Sequence, residues 1–217
     1  MMTLRCLVAF NYLMTSPTYG VAVVKVLNLR YFSKPSIRIA KNMDIFCIRD
    51  CNLKNLPENY ALDFYEDQLS SWPALSIVAV DDKSKIVGYI LGRLDMTSNL
   101  FKDNFSGDEI SQPNVAFIGH VVSMAVNSNE RGKGLAAELM HRLHNQFIDI
   151  YNIDSVYLHC RISNIGAVNL YSEKFSYLKK HQVPSYYGDG EAAWFMTIKG
   201  LRRNLKGYND QEDKEKS

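Results

Sequence analysis

Glu130-Arg-Gly-Lys-Gly134 is the segment of this sequence best suited to chemistry. It separates an apolar run, His120-Val-Val-Ser-Met-Ala-Val126, from a stretch Leu135 to Tyr151 with Leu139, Leu143 and Phe147 at steps of four. The run predicts a strand and the stretch an amphipathic helix. A helix start exposes amide N–H groups without intrahelical partners and carries the positive end of the helix dipole. Gly132 and Gly134 let the backbone approach a ligand closely, while Arg131 and Lys133 add charge. Together they predict a cradle for a diphosphate, although a plain turn would also use two glycines. The spacing is neither G-x-x-x-x-G-K-[ST] nor G-x-G-x-x-G, which sets aside the commonest nucleotide loops. The sequence has no G-x-S-x-G nucleophile elbow and no Cys/His cluster spaced for zinc, so neither a covalent serine route nor a metal is expected.

The elements that must position this turn read in the order β-α-α-β-β-β-α-β-α-β-β. Ser36–Ala40 alternates as a strand, and Met43–Asn55 and Tyr60–Ser70 have helical spacing, separated by Pro57 and closed before Trp72-Pro73. Leu75–Val80 and Ile86–Leu91 predict a hairpin through Asp81-Asp-Lys-Ser-Lys85. Residues 95–117 are polar, without a period, and predict a surface insertion. Beyond the central helix come a strand at Ser155–Cys160, a helix at Ile165–Phe175 capped by Asn164, and strands at Tyr177–His181 and Ala193–Ile198. An alternation of this kind predicts an α/β or α+β sheet with helices on its faces.

The 217 residues are 47% hydrophobic and 22% charged, the composition of a globular domain with extensions. Net charge is +2 but uneven. Residues 1–43 hold Arg5, Lys25, Arg30, Lys34, Arg38 and Lys41 and no acid, which leaves 19 basic against 23 acidic residues from 44 onward. That balance argues against direct nucleic-acid reading. No run reaches the ~18 apolar residues of a membrane span. The four cysteines form no C-x-x-C and read as reduced thiols. The acid-free segment 1–34 has the composition of a mitochondrial transit peptide or of a disordered extension, and 202–217 reads as a solvated charged tail.

Arg131-Gly-Lys-Gly134-Leu135-Ala136 resembles the R/Q-x-x-G-x-G/A motif of the GNAT acyltransferases. Leu158-His-Cys-Arg161-Ile-Ser-Asn164 with Asn169-Leu-Tyr171 is similar to that family's fifth strand and following helix. The resemblance implies the GNAT fold over 35–201, a central mixed twisted sheet with helices on both faces. Two loops narrow it. Leu56-Pro-Glu-Asn-Tyr60 and Tyr186-Tyr187 with Asp189-Gly-Glu191 resemble the loops that wall the peptide site of N-terminal acetyltransferases, in the form seen in NatA catalytic subunits. The implied reaction moves acetyl from acetyl-CoA, as co-substrate, to the α-amine of nascent chains that start with Ser, Ala, Thr or Gly. An α-amine, with pKa about 7.7–8 against about 10.4 for lysine, is partly neutral at pH 7 and needs only orientation and modest base help. Direct attack in a ternary complex is therefore expected.

The resemblance also implies roles. Met124, Ala125, Val126, Arg131, Gly132, Lys133, Gly134, Leu135, Ala136, Arg161, Asn164 and Tyr171 would hold the cofactor, with an amide near Met124 or Val126 polarising the thioester carbonyl. Glu58 would bind or help deprotonate the amine. Leu56, Pro57 and Tyr60 would size the first side chain, and Tyr186 and Tyr187 would bond the peptide backbone. Tyr171 would protonate the departing thiolate, with His120 and His159 as secondary catalytic candidates. A helical-repeat auxiliary subunit, the ribosome and a cytoplasmic location follow from the same resemblance, a mitochondrial one from residues 1–34. Ala192, Trp194-Phe195 and Ile165 depart from the family pattern, which touches fine substrate preference rather than the cofactor site. Acetylation of lysine or small amines, and an inactive acyl-CoA-binding scaffold, are the competing readings.

Overall fold

The computed structural model describes residues 34–97 and 117–203. Seven strands form one sheet in the order β1-β2-β3-β4-β5-β7-β6. They are β1 (Ser36–Ile39), β2 (Ser76–Val80), β3 (Ile86–Met96), β4 (Phe117–Val126), β5 (Ser155–Arg161), β6 (Leu178–Val183) and β7 (Ala193–Lys199). Neighbours are antiparallel except β4 and β5, which run parallel. A parallel pair needs a long crossover, and helix α3 (Leu135–Asp149) supplies it.

Period-two alternation gives the sheet two apolar faces. Ile77, Ala79, Val87, Ile90 and Val121 point to one side, where they meet Leu139, Leu143 and Phe147 of α3. Those three are fully buried, which stabilises the fold by roughly 1.5–3 kcal/mol each. Val78, Val80, Tyr89, Leu91 and Ala125 point to the other side, against Ile45 and Ile48 of α1 (Ile45–Asn55) and Tyr65 and Leu69 of α2 (Leu62–Ser71). α4 (Ile165–Asn169) continues into a π turn, Leu170–Lys174, and shares the α3 face through Val168 and Tyr171.

The predicted elements are present with shifted ends. β3 and β4 are longer than expected because Arg93, Leu94, Asp95 and Met96 pair with His120, Gly119, Ile118 and Phe117. Both ends of the expected 95–117 insertion therefore belong to the sheet. Polar Arg93 and Asp95 hide this strand from a hydrophobicity reading. The expected helix Ile165–Phe175 is α-helical for one turn only before it widens. Leu201 is buried and starts a short turn in which the Arg202 amide donates to Asp154 Oδ1 at 2.8 Å. The rest of the tail expected at 202–217, from 204 on, and the extension expected at 1–34, up to 33, lie outside the described residues. Among those residues no helix is long and apolar enough to cross a membrane, and no group of three His, Cys, Asp or Glu could hold a metal.

Candidate active site

The site begins where the parallel pair separates. β4 and β5 are in register only from Gly119↔Val156 to Val121↔Leu158. The register of β3 with β4 then shifts, passing from Gly92↔Val121 to Leu91↔Ser123, so Val122 is the extra residue of a bulge. Past that point β4 is held by β3 and β5 by β7, and a gap opens at their C-terminal ends, where α/β sheets bind ligands.

Alternation decides which amides face the gap. The Asn127 amide donates to Val87 O on β3, so Ala125 and Ser123 turn the same way. Met124 and Val126 turn their amides and carbonyls toward the missing neighbour. Val126 O accordingly accepts from Arg131 Nε at 2.9 Å. Arg131 Nη2 also donates to Asn55 Oδ1 at 2.9 Å, tying the turn to the end of α1. Gly134 caps α3 at φ +83° and Gly132 sits at φ +74°, both in the left-handed region, and nothing lies within 4 Å of where a Cβ would stand on either. The turn is open and leaves the first amides of a 15-residue helix, those of Leu135, Ala136 and Ala137, without intrahelical partners, an arrangement able to take an anion, with Lys133 beside it, ion-paired to Glu130 at 3.1 Å.

A cleft of about 380 Å³ opens from the gap. Its walls include Leu56, Pro57, Glu58 and Tyr60 from the α1–α2 loop and Tyr186 and Tyr187 from the β6–β7 loop, and its floor Val121–Met124 and Leu158–Arg161. Asn164 and Tyr171 close the α4 end, whereas the 131–136 turn lies beyond the cleft at the end of β4. Both loops expected to admit a peptide thus meet across one opening. Tyr60 stacks on Phe64 at 4.1 Å between ring centroids, which stiffens the pocket's apolar side.

Arg161, expected to hold the cofactor, lines the cleft and stands between the two loops. Its Nε donates to Glu58 Oε1 at 2.7 Å, and Nη2 reaches the same oxygen. Nη1 reaches Asp189 Oδ2 at 2.9 Å and Glu191 Oε2 at 2.5 Å. The guanidinium also lies 4.1 Å over the Tyr187 ring. Burial works against its charge, but hydrogen bonds to Glu191, Glu58 and Asp189 outweigh burial and raise its pKa. Hydrogen bonds from Ser163, then Arg161, hold Glu191 below its ordinary range. Arg161 is a clasp, joining the Glu58 loop to the Asp189-Glu191 loop, and it leaves a net negative mouth.

Asn164 accepts from the Ala167 amide at 3.2 Å as the N-cap of α4, while still lining the cleft. Tyr171 is buried in the π turn, and burial raises its pKa, so it carries its proton at neutral pH. His159 stacks under Tyr186 at 4.2 Å, and burial first, then the charges of His120 and His181, lower its pKa to about 4. His120 lies on the cleft floor beside Arg93, Asp95 and Tyr157. Sequence reasoning missed those last three. The register of β3 on β4 is the signal that brings them to the site, and it is a tertiary one.

Residues 45–177 match the Acetyltransferase (GNAT) family. The chain belongs to that family and is an acetyltransferase with the GNAT fold. Within it, the chain is 37% identical over 171 residues to an Arabidopsis thaliana protein, the N-terminal acetyltransferase A complex catalytic subunit NAA10, covering 79% of this chain and 78% of the relative. It is 33% identical over 178 residues to the N-alpha-acetyltransferase daf-31 of Caenorhabditis elegans, covering 82% and 87%. Among solved structures, Chaetomium thermophilum Naa20 in complex with a bisubstrate analogue superposes with TM-score 0.64 at 27% identity, covering 79% of this chain and 89% of that one.

Proposed function

We propose that this protein transfers acetyl from acetyl-CoA to the α-amine of peptide chains that begin with a small residue, by direct attack in a ternary complex. The observation that carries the reading is the single cleft in which the Leu56–Tyr60 loop faces Tyr186 and Tyr187 above the separated ends of β4 and β5. The named activities of the relatives support it, and a protein of like fold takes an analogue of both substrates together.

The residues fit acetyl-CoA. Left-handed glycines without a Cβ, the first amides of α3 and Lys133 suit a diphosphate, and the outward amides of Met124 and Val126 suit a pantetheine arm and a thioester oxygen. Acetyl-CoA supplies an activated acyl carbon. The negative mouth of Glu58, Asp189 and Glu191, only partly neutralised by Arg161, draws in a peptide's terminal ammonium and disfavours acidic chains. Leu56 and Tyr60 narrow the space for the first side chain, and the Tyr186 hydroxyl bonds the following backbone. The amine nitrogen joins the acetyl carbon, the carbon–sulfur bond breaks, and Tyr171 protonates the departing thiolate.

On this reading the enzyme works beside the ribosome in the cytoplasm with a helical-repeat subunit. Support for a partner is the exposed apolar stripe Met43, Phe46 and Leu53, which follows helical spacing along α1 and the turn before it.

Labelled acetyl-CoA offered with Ser-, Ala- and Met-Asp-starting peptides and with an N-terminally blocked lysine peptide tests the reading. Transfer to the Ser and Ala peptides is expected. Label on the lysine peptide alone would overturn the α-amine assignment, and cofactor binding without transfer would mark a scaffold.

A further inference from the structure

The transfer proposed above needs an acceptor for the amine's proton. Glu58 Oε1 already holds two nitrogens of Arg161. Both ring nitrogens of His159 are buried without a hydrogen-bond partner, and the Tyr186 ring covers them. His120 is placed differently. Its Nδ1 lies 3.0 Å from Asp95 Oδ2 and 3.1 Å from the Tyr157 hydroxyl, and that hydroxyl donates to the same Asp95 oxygen at 2.5 Å. The His120 ring stacks on Tyr157 with centroids 4.2 Å apart and meets His159 edge-on at 6.3 Å. Asp95 Oδ1 is ion-paired to Arg93 Nε at 3.0 Å.

Counting protons in this triangle fixes the tautomer. Burial, then the hydrogen bond to Asp95, raises the Tyr157 pKa, so its oxygen keeps its hydrogen and donates it to the carboxylate. Burial also works against the Asp95 charge, but hydrogen bonds from His120 and Tyr157, together with the charge of Arg93, outweigh it and keep the carboxyl ionised. Both oxygens near Nδ1 can therefore only accept from it, so Nδ1 carries the hydrogen. Burial lowers the His120 pKa, with Asp95 opposing and Arg93 assisting, so the ring is neutral and its lone pair sits on Nε2. The groups facing the ring are Arg93 and Asp95 from β3 and Tyr157 and His159 from β5.

Building on the proposed function, we propose that Asp95 and Tyr157 are positioning residues, locking His120 so that Nε2 faces the cleft and takes the proton of the attacking amine. As the carbon–nitrogen bond forms and the carbon–sulfur bond breaks, that proton moves from the amine to Nε2. The thiolate receives a proton from Tyr171, which regains one from water, and His120 returns its own to water.

Kinetics on a Ser-starting peptide and imidazole ¹⁵N NMR test this together. Asp95→Asn should lower kcat roughly 10- to 100-fold, with KM and acetyl-CoA affinity within about twofold. Its acid limb should move to lower pH, because the carboxylate that raised the His120 pKa is gone. Tyr157→Phe should act in the same direction but less, and Asp95→Asn should add nothing to His120→Gln. The NMR of the wild-type protein should report hydrogen on Nδ1 of His120. Hydrogen on Nε2, an unmoved acid limb in Asp95→Asn, or a loss additive with His120→Gln would each overturn the proposal. The wild-type NMR and Tyr157→Phe decide it even if Asp95→Asn does not fold. Wild-type protein that acetylates no α-amine would sink the proposed function instead, while the NMR still reports on the tautomer.

Discussion

Gly134 and Gly190 make a matched pair for locating the diphosphate. Both adopt left-handed backbone, at φ +83° and +86°, and neither has an atom within 4 Å of a would-be Cβ. Gly134 caps α3 whereas Gly190 belongs to the β6–β7 loop, where its amide donates to Tyr187 O at 2.8 Å. Alanine in this backbone region costs about 1–2 kcal/mol, and a stiffer unfolded chain returns about 0.4–1 kcal/mol. Each Gly→Ala variant should therefore lose at most about 1.6 kcal/mol, which lowers Tm by no more than a few degrees in a chain of this size. Binding should separate them. At 134 the added methyl projects into the anion's path and displaces it from at least one amide, a charge-assisted bond worth about 1.5–3 kcal/mol. Calorimetric titration should show acetyl-CoA affinity about 10- to 150-fold weaker in Gly134→Ala and unchanged in Gly190→Ala. Equal affinity in the two variants, at equal loss of Tm, would refute the cradle.

Arg161→Met keeps the stem over Tyr187 but removes the clasp, and should reduce kcat/KM for a Ser-starting peptide roughly tenfold or more while acetyl-CoA affinity stays within about twofold; a loss confined to acetyl-CoA affinity in titration would put Arg161 on the cofactor side. Buried His144, bonded to Tyr177 at 2.9 Å, has its pKa lowered by burial, and further by His141, from 6.5 to about 3. The unfolded chain takes up a proton near pH 6.5 that the folded one refuses, so this stability is present above 6.5 and is lost as pH falls toward 3, by up to about 1.4 kcal/mol per unit. Urea midpoints measured between pH 7 and 5 should fall less steeply in His144→Gln, and an identical slope would reject that assignment.

What the sequence revealed were the features that are local in the chain. Leu139, Leu143 and Phe147 at steps of four announce α3, and Gly132 and Gly134 announce its entry, because periodicity and backbone freedom are written within a few residues. The two loops that wall the cleft were readable only through resemblance, since nothing in Leu56–Tyr60 by itself says that Tyr186 lies opposite. That Arg161 also joins the two loops was not legible, because its partners are 103, 28 and 30 residues away. Asp95 was taken as loop because a charged residue late in a strand breaks the apolar alternation, although Tyr157 and His120 supply its partners across the sheet. The shortened α4 and its π turn left no mark in spacing that fits an ordinary helix equally well.

The outward amides of Met124 and Val126 also bear on redesign. Main-chain donors survive any side-chain replacement short of proline, so, if these amides hold the carrier as proposed, positions 124 and 126 can be varied to admit longer acyl groups while that grip persists. A library restricted to these two residues would explore new donor chemistry on an anchor that the genetic code can hardly erase.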